Sequence, residues 1–309
     1  MNAQLVVAKS GSVRTNQAWI ISRLLRDFEQ RMSEETYETD KSAPKYEALR
    51  ISVFEIDQQV DPGTMTHDWK WYSGFAVILL QLVVSCIPVI LYSNWFVVTI
   101  TAAGTMLALI QGTFPQWKKE KWASTKTGGS TVSISQGNGS RHVMTILGRD
   151  HTPSEQLKNY KGLDLEILAG GSKRFRPAKH STQLALLLTI LWTALLISVA
   201  GLQEDSWFLL AAGIIGMMHS IFVAGATRSP GVYGIHLKPV EAITARKVAM
   251  VLHEAEEKYP TVGSSLIPVF FPGRMYVNKE EIEFWDAAAE RRGLKGAEEL
   301  PVAVKPTIE

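Results

Sequence analysis

Two kinds of hydrophobic pattern divide the chain. Long apolar runs have no period, while short segments repeat their apolar positions every two or every three to four residues. The long runs are "YSGFAVILLQLVVSCIPVILY" (72–92), "WFVVTITAAGTMLALIQG" (95–112), "TQLALLLTILWTALLISVAGL" (182–202) and "SWFLLAAGIIGMMHSIFVAGA" (206–226). None contains Asp, Glu, Lys or Arg. A bilayer core is crossed by about 20 apolar residues rising roughly 1.5 Å each, so each run predicts a spanning helix. A large soluble domain can bury one helix that is apolar all round; four predict an integral membrane protein. Only Ser93 and Asn94 separate the first two runs, and "LQEDS" joins the last two. The helices are therefore expected as two hairpins, 72–112 and 182–226.

The remaining segments, 1–71, 113–181 and 227–309, are patterned. In "AWIISRLLRDFEQRM", Ile21, Leu24, Leu25, Phe28 and Met32 share one helical face, with Arg and Asp opposite. Such a face suits a domain core or a membrane surface. "LRISVFEIDQ" alternates as a strand does, and "STVSISQGNGSRHVMTILG" reads as two strands about a Gly-Asn-Gly turn. Thr152, Pro153 and Glu155 supply an N-cap, a first-turn proline and a capping-box acid. After the fourth run, "GVYGIHLKPV" reads as extended, and Val240, Ile243, Lys247, Val251 and Ala255 mark a helix ending before Pro260. "YPTVGSSLIPVFFPGRMYV" is punctuated by Pro and Gly and reads as an apolar flap. Asn278 with Glu281 opens a last helix closed by Gly293, and the tail from Gly296 reads as frayed. Together the N-terminal, central-loop and C-terminal segments predict one α+β domain.

Charge orients these parts. Lys118, Lys119, Lys121 and Lys126 follow the second run, and Lys173, Arg174, Arg176 and Lys179 precede the third. Arg228 and Lys238 follow the fourth, whereas the short connectors lack Lys and Arg and one carries Glu204 and Asp205. A Lys/Arg excess marks cytoplasmic flanks. Both termini and the central loop are expected to be cytoplasmic, in an endomembrane or the plasma membrane. Trp69, Trp71 and Tyr72 would then line that interface, and Trp95 and Trp207 the other. Lys118, Lys119, Lys121, Lys173, Arg174, Arg176 and Lys179 also suit anionic lipid headgroups, at about 1 kcal/mol each. The first run starts at Tyr72, which predicts a signal anchor in place of a cleaved signal peptide. The sequon "NGS" at 138–140 falls in the central loop, so Asn138 is expected to be unmodified. Cys86 is the only cysteine, which excludes a disulfide framework. A net charge of +2 points to no nucleic-acid partner.

Candidate chemistry is sparse. Ala212, Gly216, Ser220 and Ala224 recur every four residues, and Gly104, Ala108 and Gly112 repeat the device. Such stripes let helices approach closely, within the chain, in a homo-oligomer or against another membrane protein. His219 stands beside the first stripe. Counted from the flanking charges, His219, Gln81 and Thr189 lie at a similar depth, roughly 13 Å, which predicts one hydrogen-bonded polar layer. An intramembrane ionisable residue also marks functional sites. Asp164 and Glu166, two apart, could share a strand face as paired carboxylates. Arg149, Asp150 and His151 read as a solvated turn. "AGGSK" lacks the Walker spacing, and the histidines show neither HxxxH nor HExxH. No metal or cofactor site is expected.

"GNGSRHVMTILG", "GLDLEILA" and "KYPTVGSSLIPVFFPGRM", set around paired hairpins, resemble a group of uncharacterised fungal multi-pass (four-span) membrane proteins. The resemblance covers about residues 71–285. It implies the same architecture and a place near fungal secondary metabolism, and it transfers no catalytic set. The leading expectation is a membrane-anchored accessory or scaffolding module. One alternative is a membrane-embedded enzyme, a cyclase or isomerase acting on a lipophilic substrate through His219, Gln81 or the Asp164/Glu166 pair. Another is a small transporter or channel subunit.

Overall fold

The structure, a computed structural model, describes residues 3–40, 47–114, 117, 126–153, 157, 160–171, 181–296 and 299–305. Its strands are β1 (Gln4–Val7), β2 (Val13–Thr15), β3 (Leu49–Ile56), β4 (Val132–Ser135), β5 (His142–Leu147), β6 (Leu237–Ala245), β7 (Met275–Val277) and β8 (Val302–Val304). Its α-helices are α1 (Trp19–Asp40), α2 (Trp69–Tyr92), α3 (Phe96–Gly112), α4 (Leu165–Ala169), α5 (Ser181–Ala200), α6 (Ser206–Gly225), α7 (Val248–Lys258), α8 (Val262–Phe270) and α9 (Lys279–Arg291). The chain divides into two compact units. Met1–Met65, Ala123–Lys173 and Thr227–Glu309 make the first, and Thr66–Trp122 with Arg174–Ala226 the second.

A six-stranded mixed sheet, in the order β2-β1-β4-β5-β3-β6, organises the first unit. Neighbours are antiparallel except β3 and β5, which run parallel with Ile51 opposite Val143. Strand alternation makes the two faces. Leu49, Ile51, Val53, Val143 and Val6 point into a core shared with α7, α8 and α9. Phe54 falls on the other face, where its ring meets Phe28 of α1 edge-on at 5.9 Å. Ile20, Ile21, Leu24, Leu25 and Phe28 are all buried, so the apolar stripe of α1 faces the domain core.

Asp27, expected on the polar side of α1, is buried as well. It accepts hydrogen bonds from Arg26 Nη2 (2.9 Å), Tyr233 Oη (2.5 Å) and the Arg228 amide (3.1 Å). Burial, and then the bond to Asp27, push the Tyr233 hydroxyl up to about 12.

The C-terminal third departs most from the sequence reading. Val240 and Ile243 lie in β6, and the helix begins only at Val248. A register shift opposite Val53 and Phe54 puts Glu241 against Val53 and Pro239 against Phe54, which breaks the alternation that would have revealed a strand. The expected apolar flap contains a buried helix, α8. Gly263 lets it lie against α7, because a Cβ there would stand 2.0 Å from the Leu252 carbonyl oxygen. The tail is ordered through β8, which pairs in parallel with β7. The capping box at Asn278 and Glu281 does open α9. Glu155, the capping acid expected in the central loop, lies outside the described residues.

In the second unit α2, α5 and α6 are long and apolar enough to cross a membrane; α3 is apolar but has only 17 residues. Asp68 caps α2 by accepting from the Trp71 amide at 2.9 Å. Helix α2 packs on α3 and α6, and α3 packs also on α5. Outward side chains such as Leu79, Ile90, Leu196 and Ile197 are apolar and exposed, a surface suited to lipid. Where α2 gives way to α3, Asn94 Nδ2 donates to Asp205 Oδ2 at 2.9 Å, just ahead of α6. The two connecting turns therefore share one end of the unit.

Candidate functional site

Within the second unit, polar groups tie α2 to α6 at two heights. Ser73 Oγ donates to the Lys70 carbonyl at 2.8 Å, and His219 Nε2 lies 2.9 Å from the same oxygen. The Ser73–His219 hydrogen bond links α2 to α6, and which atom donates depends on the imidazole tautomer. Gln81 Nε2 donates to the Ala212 carbonyl at 2.8 Å. Gly216 leaves room for it, since a Cβ there would stand 2.5 Å from Gln81 Nε2.

The single polar layer does not form. Ser73 follows the start of α2 by four residues, roughly 6 Å, and Gln81 lies roughly 12 Å further along. Thr189 Oγ1 bonds to Ala185 of its own helix.

The small-residue stripes are used in part. Ala212 is buried and Gly216 faces Gln81, while a Cβ on Gly104 would touch Leu195 of α5 at 3.4 Å. Ser220, Ala224, Ala108 and Gly112 are exposed, and Ser220 Oγ bonds back to the Gly216 carbonyl. Lys118, Lys119, Lys121, Lys173, Arg174, Arg176 and Lys179 lie outside the described residues. The carboxylate pair dissolves, because its residues begin a helix, where neighbours two apart face different ways. Asp164 caps α4 through the Ile167 amide, and Glu166 pairs with Arg14.

The turn 149–151, read from sequence as solvated, is exposed at Arg149 and Asp150 and also anchors a hydrogen-bonded cluster. It follows β5 directly, at the carboxyl end of the parallel β3–β5 pair. Asp150 Oδ1 accepts from the Thr131 amide (2.8 Å) and the Thr131 hydroxyl (2.7 Å). His151 Nδ1 lies 2.8 Å from that hydroxyl, and His151 Nε2 lies 3.1 Å from the Pro260 carbonyl. Burial raises the Asp150 carboxyl, but the bonds from His151 and Thr131 outweigh it and bring it down to about 2. Thr131 is fully buried and its hydroxyl also receives the Gly148 amide. It joins the start of β4 to the turn that follows β5.

No protein family, curated protein or solved structure matches the chain.

The cavity beside this junction, about 290 Å³, is lined by Glu55, Asp57, His151, Tyr160 and Lys238 among others. Lys238 Nζ is held by Asp57 at 2.9 Å. Burial, then Asp150 and Asp164, push the Tyr160 hydroxyl up to about 12, so it stays a donor at neutral pH. Its lining is thus mostly engaged in internal pairs. Among the described residues no group of three or more His, Cys, Asp or Glu could hold a metal ion. Sequence spacing could not reveal the Thr131–Asp150–His151 junction, because its members meet only once β4 and β5 pair.

Proposed function

We propose that this is a four-span membrane protein, with both termini and its α/β unit on the cytoplasmic side, that serves as an accessory or scaffolding module at that membrane. One observation carries the reading. Neighbouring strands β5, β3 and β6 of one sheet come from after the first helix pair, before it, and after the second. Strands that hydrogen-bond to one another lie on one side of a bilayer. The chain from β3 to β5 therefore makes an even number of crossings, and so does the chain from β5 to β6. If α2 crosses, α3 crosses back, although its 17 residues rise only about 25 Å; local thinning of the bilayer accommodates such a mismatch at modest cost.

The basic flanks favour the cytoplasm for the sheet. The first unit's own packed core suits a module that works beside the membrane. Ala108, Gly112, Ser220 and Ala224, left exposed, suit a second copy or a membrane-protein partner. The motif resemblance to fungal multi-pass proteins is in keeping with a role near secondary metabolism.

A reporter fused to the C-terminus should read cytoplasmic, and one inserted between Leu202 and Ser206 should read translocated. Glycosylation of Asn138 in the native chain would overturn the topology. For the role, metabolite and lipid profiles of a strain lacking the protein should show no single accumulated precursor. A specific precursor would transfer the reading to an enzyme acting on a lipophilic substrate.

A further inference from the structure

On the face of the first unit away from α1, a groove of about 530 Å³ runs between α7 and α9. Its accessible apolar floor is formed by Ala245 and Ala249, half-buried, with the buried Met275, Val277 and Trp285 beneath. Met250 stands at its lip 57% exposed, and His253 lines it while stacking on Phe284 at 4.0 Å and meeting Trp285 edge-on at 6.0 Å. An exposed methionine beside an apolar floor is adaptable contact surface.

The charges around this floor are unbalanced. Among the described residues lining the groove, Glu254 and Glu257 stand with Glu281, whose carboxylate caps α9, against one cation, Lys258. That lysine is already held by Glu241 at 2.8 Å and Glu254 at 3.0 Å. Glu257 is exposed and has no hydrogen bond or ion pair among the described residues. Acidic lips over an apolar slot repel anionic lipid and nucleic acid, and they favour a cationic ligand that also has apolar surface to bury. The volume admits a short chain segment.

We infer that the α7–α9 groove docks a short peptide segment whose apolar side chains are flanked by lysine or arginine. This rests on the scaffolding reading and names the chemistry of the partner. The apolar side chains pack on Ala245, Ala249 and Met250, and the flanking cations meet Glu254 and Glu257, which fixes the register.

The test uses the full chain in phosphatidylcholine nanodiscs and two fluorescein-labelled peptides. Both carry a Leu-Phe-Leu centre, flanked on each side by lysines in one and by glutamates in the other. Fluorescence anisotropy should show the lysine peptide binding about ten-fold or more tighter, and the doubly reversed variant Glu254→Lys with Glu257→Lys should invert the preference. Met250→Gln, which changes no charge, should weaken the lysine peptide by about five-fold through lost apolar contact. Equal binding of the two peptides, or lysine-peptide binding that neither variant alters, overturns the proposal. Such a failure leaves the strain's metabolite profile and the reporter topology as they were, so scaffolding through another surface would survive it. An accumulated precursor removes the scaffolding reading itself, whatever the peptides do.

Discussion

Glu256 carries a carboxylate into full burial, and the amino end of α8 makes that tolerable. Its two oxygens accept from the Thr261 amide at 2.9 Å and the Ser264 amide at 2.8 Å, groups that have no partner within their own helix. Glu256→Ala would leave both amides unpaired, that of Ser264 buried and that of Thr261 partly so, which should cost about 3 kcal/mol of unfolding free energy. Denaturant titration of the purified protein measures this; an unchanged midpoint would mean that water reaches the amides. Asp150 gives a pH prediction. Its folded carboxyl lies near 2, below the ordinary 3.8, so its contribution to stability is complete above about pH 4 and disappears as pH falls towards 2. Asp150→Asn should flatten the stability curve in that window and lower the plateau above it. Neither residue was legible in the sequence. Glu256 looks like an ordinary polar position of an amphipathic helix, and Asp150 like a turn. Only the return of the chain at Thr261, and of Thr131 beside β5, shows what they hold.

Among the elements, those with a clean period were legible. Leu49, Ile51 and Val53 announce β3, and the stripe from Ile21 to Phe28 announces α1. Elements whose pattern is set by neighbours were not. Helix α8 is short, holds Pro268 and is buried on nearly every side, so it shows no polar face to read. Strand β6 is blurred by its bulge, and β8 has three residues that matter only beside β7. The helix contacts of the second unit give a sharper test. Replacing Gly216 with Leu should drive Gln81 off the Ala212 carbonyl and push α6 from α2, at about 2 kcal/mol when a lost interhelical hydrogen bond and the displaced packing are combined. A Cβ added at Gly213 on the same helix would meet nothing within 4 Å, so Gly213→Leu is the control and should cost little. If thermal stability in detergent fell equally in both variants, the α2–α6 contact would be misassigned.

At the scale of the whole molecule, the central fact is a sheet whose strands are interrupted by apolar helices. The composition of the four runs was enough to predict a membrane protein, and the basic flanks suggested a side. Which strands would meet could not be read, because pairing across such separations depends on tertiary closure rather than on any local period. That closure has a consequence for synthesis. Ile51 of β3 waits for Val143 on one edge and for Ile243 on the other. At about 5–20 residues per second, the ribosome delivers the second partner on the order of 10–40 s after the first residue of the pair. Throughout that interval β3 offers an open strand edge, the kind of surface that pairs with the wrong chain. A nascent chain halted after the third apolar run would keep that edge open for good, which makes such truncations natural clients of the cell's quality control.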